Sequence, residues 1–321
     1  MTTRSPIAPA STGPSGLRLP WQVGFFILAG IWGCSFFFIK LGLEGLNPIQ
    51  VAFGRCLIGA TALVIVAKAT RTQLPRTAST WRHLLVMAAL MNVGPFLLFS
   101  YGETQVSSIL AGIINGATPL STLAIILLAF PEEEPTRSRI VGLLIGFLGV
   151  LVVVGIWNGL GQGELPGVLA CIGAICGYGM GYPYGRRHLT GLADGPISLA
   201  TGQILAATVI LLPVVLLTGV STGSIHLDTV LGMLGLGALG TGIAYVLNYR
   251  IIAAAGSTTA STVTYLTPLV AILVGVAFLS EHLSWNEPLG GLIVILGVAV
   301  SQGRLRGLAG RLRSGSVASG T

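Results

Sequence analysis

Charge is the scarcest thing in this sequence. Only 8% of its 321 residues are Asp, Glu, Lys or Arg, where soluble domains carry roughly a quarter. So few charges cannot clothe a water-facing surface, so a soluble globular protein is excluded. Cysteine is sparse as well: Cys34, Cys56, Cys171 and Cys176 all lie in apolar runs without pairing or metal-ligand spacing. They read as small buried apolar residues. The four histidines, His83, His188, His226 and His282, fall at the ends of apolar runs. No G-x-x-x-x-G-K-[ST] loop is present, which argues against ATP hydrolysis. No pair of carboxylates lies within an apolar run, which leaves an intramembrane enzyme without its acid and base. Neither a metal nor a cofactor is expected.

What is abundant is apolar length. Hydrophobic residues make up 53% of the chain and the mean hydropathy is +0.86. A membrane-spanning helix needs about 20 mostly apolar residues. Polar breaks divide the chain into ten such spans, at about 21–41, 49–68, 83–102, 107–130, 139–156, 166–185, 197–217, 229–249, 257–279 and 288–302. Residues 1–20 form a Ser/Pro/Thr-rich tail without an apolar signal region, and residues 303–321 form a basic tail suited to anionic lipid.

Basic residues fix the expected orientation, because Lys and Arg stay on the cytoplasmic side. With the N-terminus inside, 15 basic residues fall on cytoplasmic segments and only Lys40 on the other side. The asymmetry alternates from loop to loop, so it tests the helix count. Both termini are expected in the cytoplasm of a multi-pass cell-membrane protein. The net charge of +7 is scattered through short loops, which speaks against a nucleic-acid partner.

The two halves repeat. Thr118-Pro119-Leu120 recurs as Thr267-Pro268-Leu269, and Glu132 falls on Glu281 at the same separation. Arg55 lies seven residues after Pro48, and Gln203 seven after Pro196. Five spans is an odd number, so the second half must be inverted. Inverted halves can exchange conformations, which is the logic of alternating access.

Ile31-Trp32-Gly33-Cys34-Ser35-Phe36-Phe37-Phe38-Ile39-Lys40 resembles the first-helix pattern of EamA-domain proteins of the drug/metabolite transporter superfamily, and Phe53-Gly54-Arg55-Cys56-Leu57-Ile58-Gly59-Ala60 resembles the second. The paired Thr-Pro-Leu elements and Gly-rich fifth and tenth spans fit it too. The resemblance covers roughly residues 21–302, as repeats at 21–156 and 166–302. It implies an all-α integral membrane fold of ten helices in two inverted EamA repeats. It also implies a carrier, often an exporter, of small metabolites. The sequence departs from the family where its usual Gly-Glu becomes Pro131-Glu132 and Ser280-Glu281.

Arg55 is the sharpest functional candidate. A charge at mid-membrane costs about 2.5–3.5 kcal/mol on insertion scales and so faces the bundle interior or water. It reads either as a site for a substrate anion such as a carboxylate, or as a structural cation bonded to carbonyls. Trp32, Ser35, Asn92, Asn115, Gln203 and Tyr265 are further substrate-binding candidates; the amides could equally tie helices together. Pro119 and Pro268 are candidate hinges or static bends. Glu103, at the end of the third span, is the candidate for proton coupling, or else a solvated loop acid. Gly173, Gly177, Gly181 and Gly185 form a bare stripe for close helix packing. Gly235-Leu236-Gly237-Ala238-Leu239-Gly240 matches a dinucleotide-binding pattern but lacks its strand–turn–helix setting. The expected function is secondary transport of an amino-acid-like or drug-like solute, by a monomer or homodimer. A channel or a non-transporting receptor is the alternative, and an intramembrane enzyme the weaker one.

Overall fold

A computed structural model describes residues 20–129, 136–155, 157, 164–189, 192, 194–218 and 223–302. Residues 1–19 and 303–321 of the terminal tails and the Pro131-Glu132 element lie outside them. Among the described residues the chain is all helix. Helices are α1 (Trp21–Leu43), α2 (Pro48–Ala69), α3 (Ala78–Gly102), α4 (Ser108–Gly116), α5 (Thr118–Ala129), α6 (Arg137–Val154), α7 (Glu164–His188), α8 (Pro196–Thr218), α9 (Leu227–Gly256), α10 (Thr267–Leu279) and α11 (Asn286–Ser301).

Among the described residues, seven of these are long and apolar enough to cross a membrane: α1, α2, α3, α6, α7, α8 and α9. The pair α4 and α5 passes that test together and is bent by 42° at its break. The remaining two, α10 and α11, are shorter apolar helices. Large apolar side chains such as Phe26, Ile65, Phe147, Leu217 and Phe278 stand on the outside of the bundle. Lipid, not water, is the solvent such a surface fits.

Local chemistry sets the helix ends. Pro48 opens α2 where its missing N–H is no loss. Asn47 accepts from the Gln50 N–H at 2.9 Å, and the Gln50 side chain accepts from the Asn47 N–H at 2.9 Å, a closed capping box. Ser107 caps α4 and Thr136 caps α6 by the side-chain bond alone, accepting from the Leu110 and Arg139 N–H groups. Gly155 ends α6 in the left-handed region at φ 65°. At Gly256, φ is 83° and the helical path of α9 breaks before resuming to Ser261. The ninth expected span therefore starts as a continuation of α9.

Both candidate hinge prolines sit at breaks. Gly116 ends α4 and Pro119 lies in the first turn of α5. A 3₁₀ turn at Thr262–Tyr265 precedes Pro268 in the first turn of α10. The breaks touch: a methyl on Gly116 would stand 2.7 Å from Pro268 Cγ. Asn115 Nδ2 also donates to Thr267 Oγ1 at 3.2 Å.

The third helix of each half is underwound into a π segment, Ala89–Val93 in α3 and Gly235–Ile243 in α9. In α3, Pro95 cannot donate to the Met91 carbonyl four residues back. The Tyr245 hydroxyl donates to that carbonyl instead, at 3.1 Å. The glycines of the dinucleotide-like pattern lie in the second π segment, and a methyl on Gly237 would stand 2.5 Å from Ile58 Cβ. They are a packing face, as the missing strand–turn–helix setting requires.

The fifth helices of the halves, α6 and α11, seal against each other almost backbone to backbone. A methyl on Gly142 would stand 2.5 Å from the Gly297 carbonyl oxygen, and one on Gly297 would stand 2.4 Å from the Gly146 nitrogen. Without a hydrophobic drive between helices in lipid, such close approach supplies the packing. The glycine stripe of α7 lies against α3, with Gly177 facing Leu90 and Pro95, and Gly181 facing Met91.

Candidate functional site

The capping box places Arg55 two turns into α2. Its side chain is buried, at 6% exposure. Nε donates to Thr241 Oγ1 in the α9 π segment at 2.9 Å. The guanidinium carbon stands 3.6 Å from the centroid of the Phe96 ring, a cation–π contact. Thr241 donates in turn to the Leu236 carbonyl at 3.1 Å. No carboxylate forms an ion pair with Arg55 among the described residues. The cation is thus buried with one hydrogen bond and one aromatic face.

A small central cavity of about 50 Å³ adjoins Arg55, walled by Trp32, Phe96, Tyr178, Tyr182 and Tyr245. Ser35 and Asn115 also line it, but both are occupied. Ser35 donates to the Ile31 carbonyl at 3.2 Å, and Asn115 to Thr267. A second chamber of about 310 Å³ lies between α3, α7, α8 and α9, with Arg186 and Asp194 among its lining. That is the size of a small-molecule pocket, whereas the central cavity is far below it. Met91, Tyr182 and Tyr245 line both and so form the partition between them.

Beneath the partition runs a closed polar chain. Tyr249 donates to Gln203 Oε1 at 2.5 Å, Gln203 Nε2 to Asn92 Oδ1 at 2.7 Å, and Asn92 Nδ2 to the Tyr245 hydroxyl at 2.6 Å. Asn92 and Gln203 therefore tie α3, α8 and α9 together, and both amides are occupied by protein groups. Tyr265 lies apart from both chambers and accepts from Gln302 Nε2.

Polar contacts tie helices together at the opposite end of the bundle. Lys40 Nζ donates to the Glu103 carbonyl at 2.6 Å and the Val106 carbonyl at 2.8 Å. Glu281 accepts from the Ser108 N–H at 2.8 Å, the Ser108 hydroxyl at 2.9 Å and the Ile109 N–H at 3.1 Å. A carboxylate from the second half thus caps the positive end of α4 in the first. Glu103 is 1% exposed, so it is no solvated loop acid.

Sequence reasoning missed Thr241, Phe96, Tyr245, Tyr249 and Lys40 as members of these clusters. One signal pointed to three of them. The 149 positions separating Thr118 from Thr267 also carry Asn92 onto Thr241 and Phe96 onto Tyr245.

These features define a class: a multi-pass, all-helical membrane protein whose halves enclose buried polar groups and cavities. The profile of the EamA-like transporter family matches twice, over residues 19–155 and 165–302. The chain belongs to that family of the drug/metabolite transporter superfamily. It is 28% identical over 289 residues to an uncharacterized transporter of Archaeoglobus fulgidus, covering 84% of this chain and 92% of that one. It is 28% identical over 292 residues to the uncharacterized inner membrane transporter YedA of Escherichia coli, covering 89% and 92%. The protein PecM of Dickeya dadantii is 25% identical over 281 residues, covering 85% and 89%. A crystal structure of a protein that is 18% identical matches with a TM-score of 0.65 over 88% of this chain and 97% of its own, a likeness of fold.

Proposed function

We propose that the chain is a secondary-active carrier that exports a small organic metabolite, amino-acid-like or drug-like, by alternating access. One observation carries this reading. Two chambers share a wall of Met91, Tyr182 and Tyr245, while the Lys40 and Glu281 contacts close the bundle beyond. That is the form of an inward-facing carrier with its outer side shut. The bent pair α4–α5 counts as one crossing and α10 and α11 as one each, which with the other seven gives ten. The two five-helix repeats are inverted, both termini are cytoplasmic, and the Arg186–Asp194 end faces the cytoplasm. Basic residues at Lys68, Arg71, Arg76, Arg186, Arg187 and Arg250 support that orientation. The protein works as a monomer or homodimer.

Arg55 holds an anionic group of the solute. Its guanidinium has an aromatic face and one hydroxyl as partners and no counter-ion among the described residues. The aromatic walls around it suit a planar or apolar solute body. The test begins with a thermal-stability screen of amino acids, nucleosides, sugars and quaternary amines, since a bound ligand stabilises the folded protein by mass action. Counterflow of the best ligand in liposomes follows. Saturable counterflow is the expected result; flux that never saturates would instead mark a pore.

A further inference from the structure

Five residues, 103–107, join α3 to α4, and they are pressed onto α7. A methyl on Gly102 would stand 2.6 Å from Cys171 Sγ, and one on Gly167 would stand 2.9 Å from Gln105 Cβ. The first residue of the turn, Glu103, is driven inward by this contact. Its side chain is 1% exposed, and neither carboxyl oxygen has a hydrogen-bond partner among the described residues.

Four titratable or charged groups lie within electrostatic reach of it: Lys40 from α1, Glu281 from the α10–α11 connection, Arg55 from α2 and Cys171 from α7. None bonds to it. Glu281 is occupied at the α4 N-terminus and Arg55 with Thr241. Lys40 is the informative neighbour. Its ammonium donates to the backbone carbonyl of Glu103 itself and to that of Val106, and passes over the Glu103 carboxyl. An ionised carboxylate on the same residue would compete for that ammonium, because bonds between two charged groups are the stronger kind. An ionised carboxylate left without any donor would also carry a heavy desolvation cost. The arrangement is that of a neutral acid. Burial pushes the carboxyl well above the usual carboxylate range; Lys40 opposes this, Glu281 adds to it and Arg55 opposes it.

We propose that Glu103 is a proton-binding latch on the outer closure, neutral while the 103–106 turn is sealed on Lys40 and ionised when that turn opens. On opening, water reaches the carboxyl and its O–H bond breaks. The proton leaves to water on the Glu103 side, and the electron pair stays on the carboxylate. The Lys40 ammonium then moves from the two carbonyls to the carboxylate. Closing reverses each step and takes one proton from the same side. The closed form holds more protons than the open one, so its stability falls as pH rises above about 4.3, the ordinary Glu value. Acid outside holds the outer gate shut and alkali releases it. The use of this gate in transport rests on the alternating-access reading above.

Hydrogen–deuterium exchange of the full chain in lipid nanodiscs, without solute, tests the latch. Rates are corrected for the intrinsic pH dependence of exchange. Opening of the 103–109 segment should rise at least about tenfold between about pH 5.5 and about pH 8.5. Peptides from the α6–α11 seam should stay flat. Glu103→Gln, a neutral isostere, should keep the segment protected across that range. Lys40→Met should open it at low pH to the level the wild type reaches only at high pH. A wild-type slope no steeper than that of Glu103→Gln would overturn the latch, as would wild-type protection in Lys40→Met at low pH. The outcome is separable from the carrier reading: absent counterflow for every solute leaves the exchange result standing, and flat exchange leaves counterflow untouched.

Discussion

The two halves place equivalent residues at equivalent contacts, yet give them opposite chemistry. In one cluster Arg55 of α2 bonds Thr241 of the opposite half and lies on Phe96 of its own half. In the other, Gln203 of α8 bonds Asn92 of the opposite half, beside Tyr245 of its own. Arg55 and Gln203, Asn92 and Thr241, and Phe96 and Tyr245 exchange places between the halves. The amide cluster is closed: its donors and acceptors meet each other and Tyr249. The cationic cluster is open, with a buried charge and no counter-ion among the described residues. Duplication explains the shared geometry. On the proposed carrier reading the difference separates two roles: a closed amide network holds helices together, whereas a cation without a counter-ion among the described residues can accept one from a ligand.

The comparison can be broken at several points, in descending order of effect. The shared seam comes first. Gly297→Leu puts a side chain where a methyl already meets the Gly146 nitrogen at 2.4 Å. Neither backbone can retreat, and folded monodisperse protein should be lost in size-exclusion chromatography. Arg55→Gln makes the two clusters alike. Counterflow should fall at least about 30-fold, the equivalent of about 2 kcal/mol for removing one partner of a buried charged contact. Gln203→Leu strands Asn92 Oδ1 and the Tyr249 hydroxyl. It should lower thermal stability by about 1 kcal/mol, the scale of interhelical hydrogen bonds in lipid, while transport persists. Thr241→Val removes only the Nε partner of Arg55. It should raise the half-saturating solute concentration about fivefold, the equivalent of about 1 kcal/mol for one hydrogen bond.

Much of this architecture was legible in the sequence. Apolar runs located the helices, and the repeated Thr-Pro-Leu elements marked the two breaks that meet at Gly116 and Pro268. The α7 glycine stripe announced a close neighbour, which is α3. The π segments were not legible, since hydropathy carries no record of which carbonyl an N–H reaches. That concealed Thr241 within a run of glycines and leucines. The burial of Glu103 was hidden for a different reason. A carboxylate between Gly102 and Thr104, at the end of an apolar run, has the local character of a loop. The turn that carries it is pressed onto Gly167 and Cys171, more than 60 positions away. Tyr265 was drawn toward the cavity by depth alone, but the 3₁₀ turn directs it to Gln302.

The central claim is that Arg55 serves the solute and Gln203 serves the fold. Counterflow and melting temperature measured together on Arg55→Gln test it most directly. The account predicts that saturable counterflow is lost while the melting temperature stays within a few degrees of the wild type. Counterflow at the wild-type rate, or transport lost only together with the fold, would contradict it.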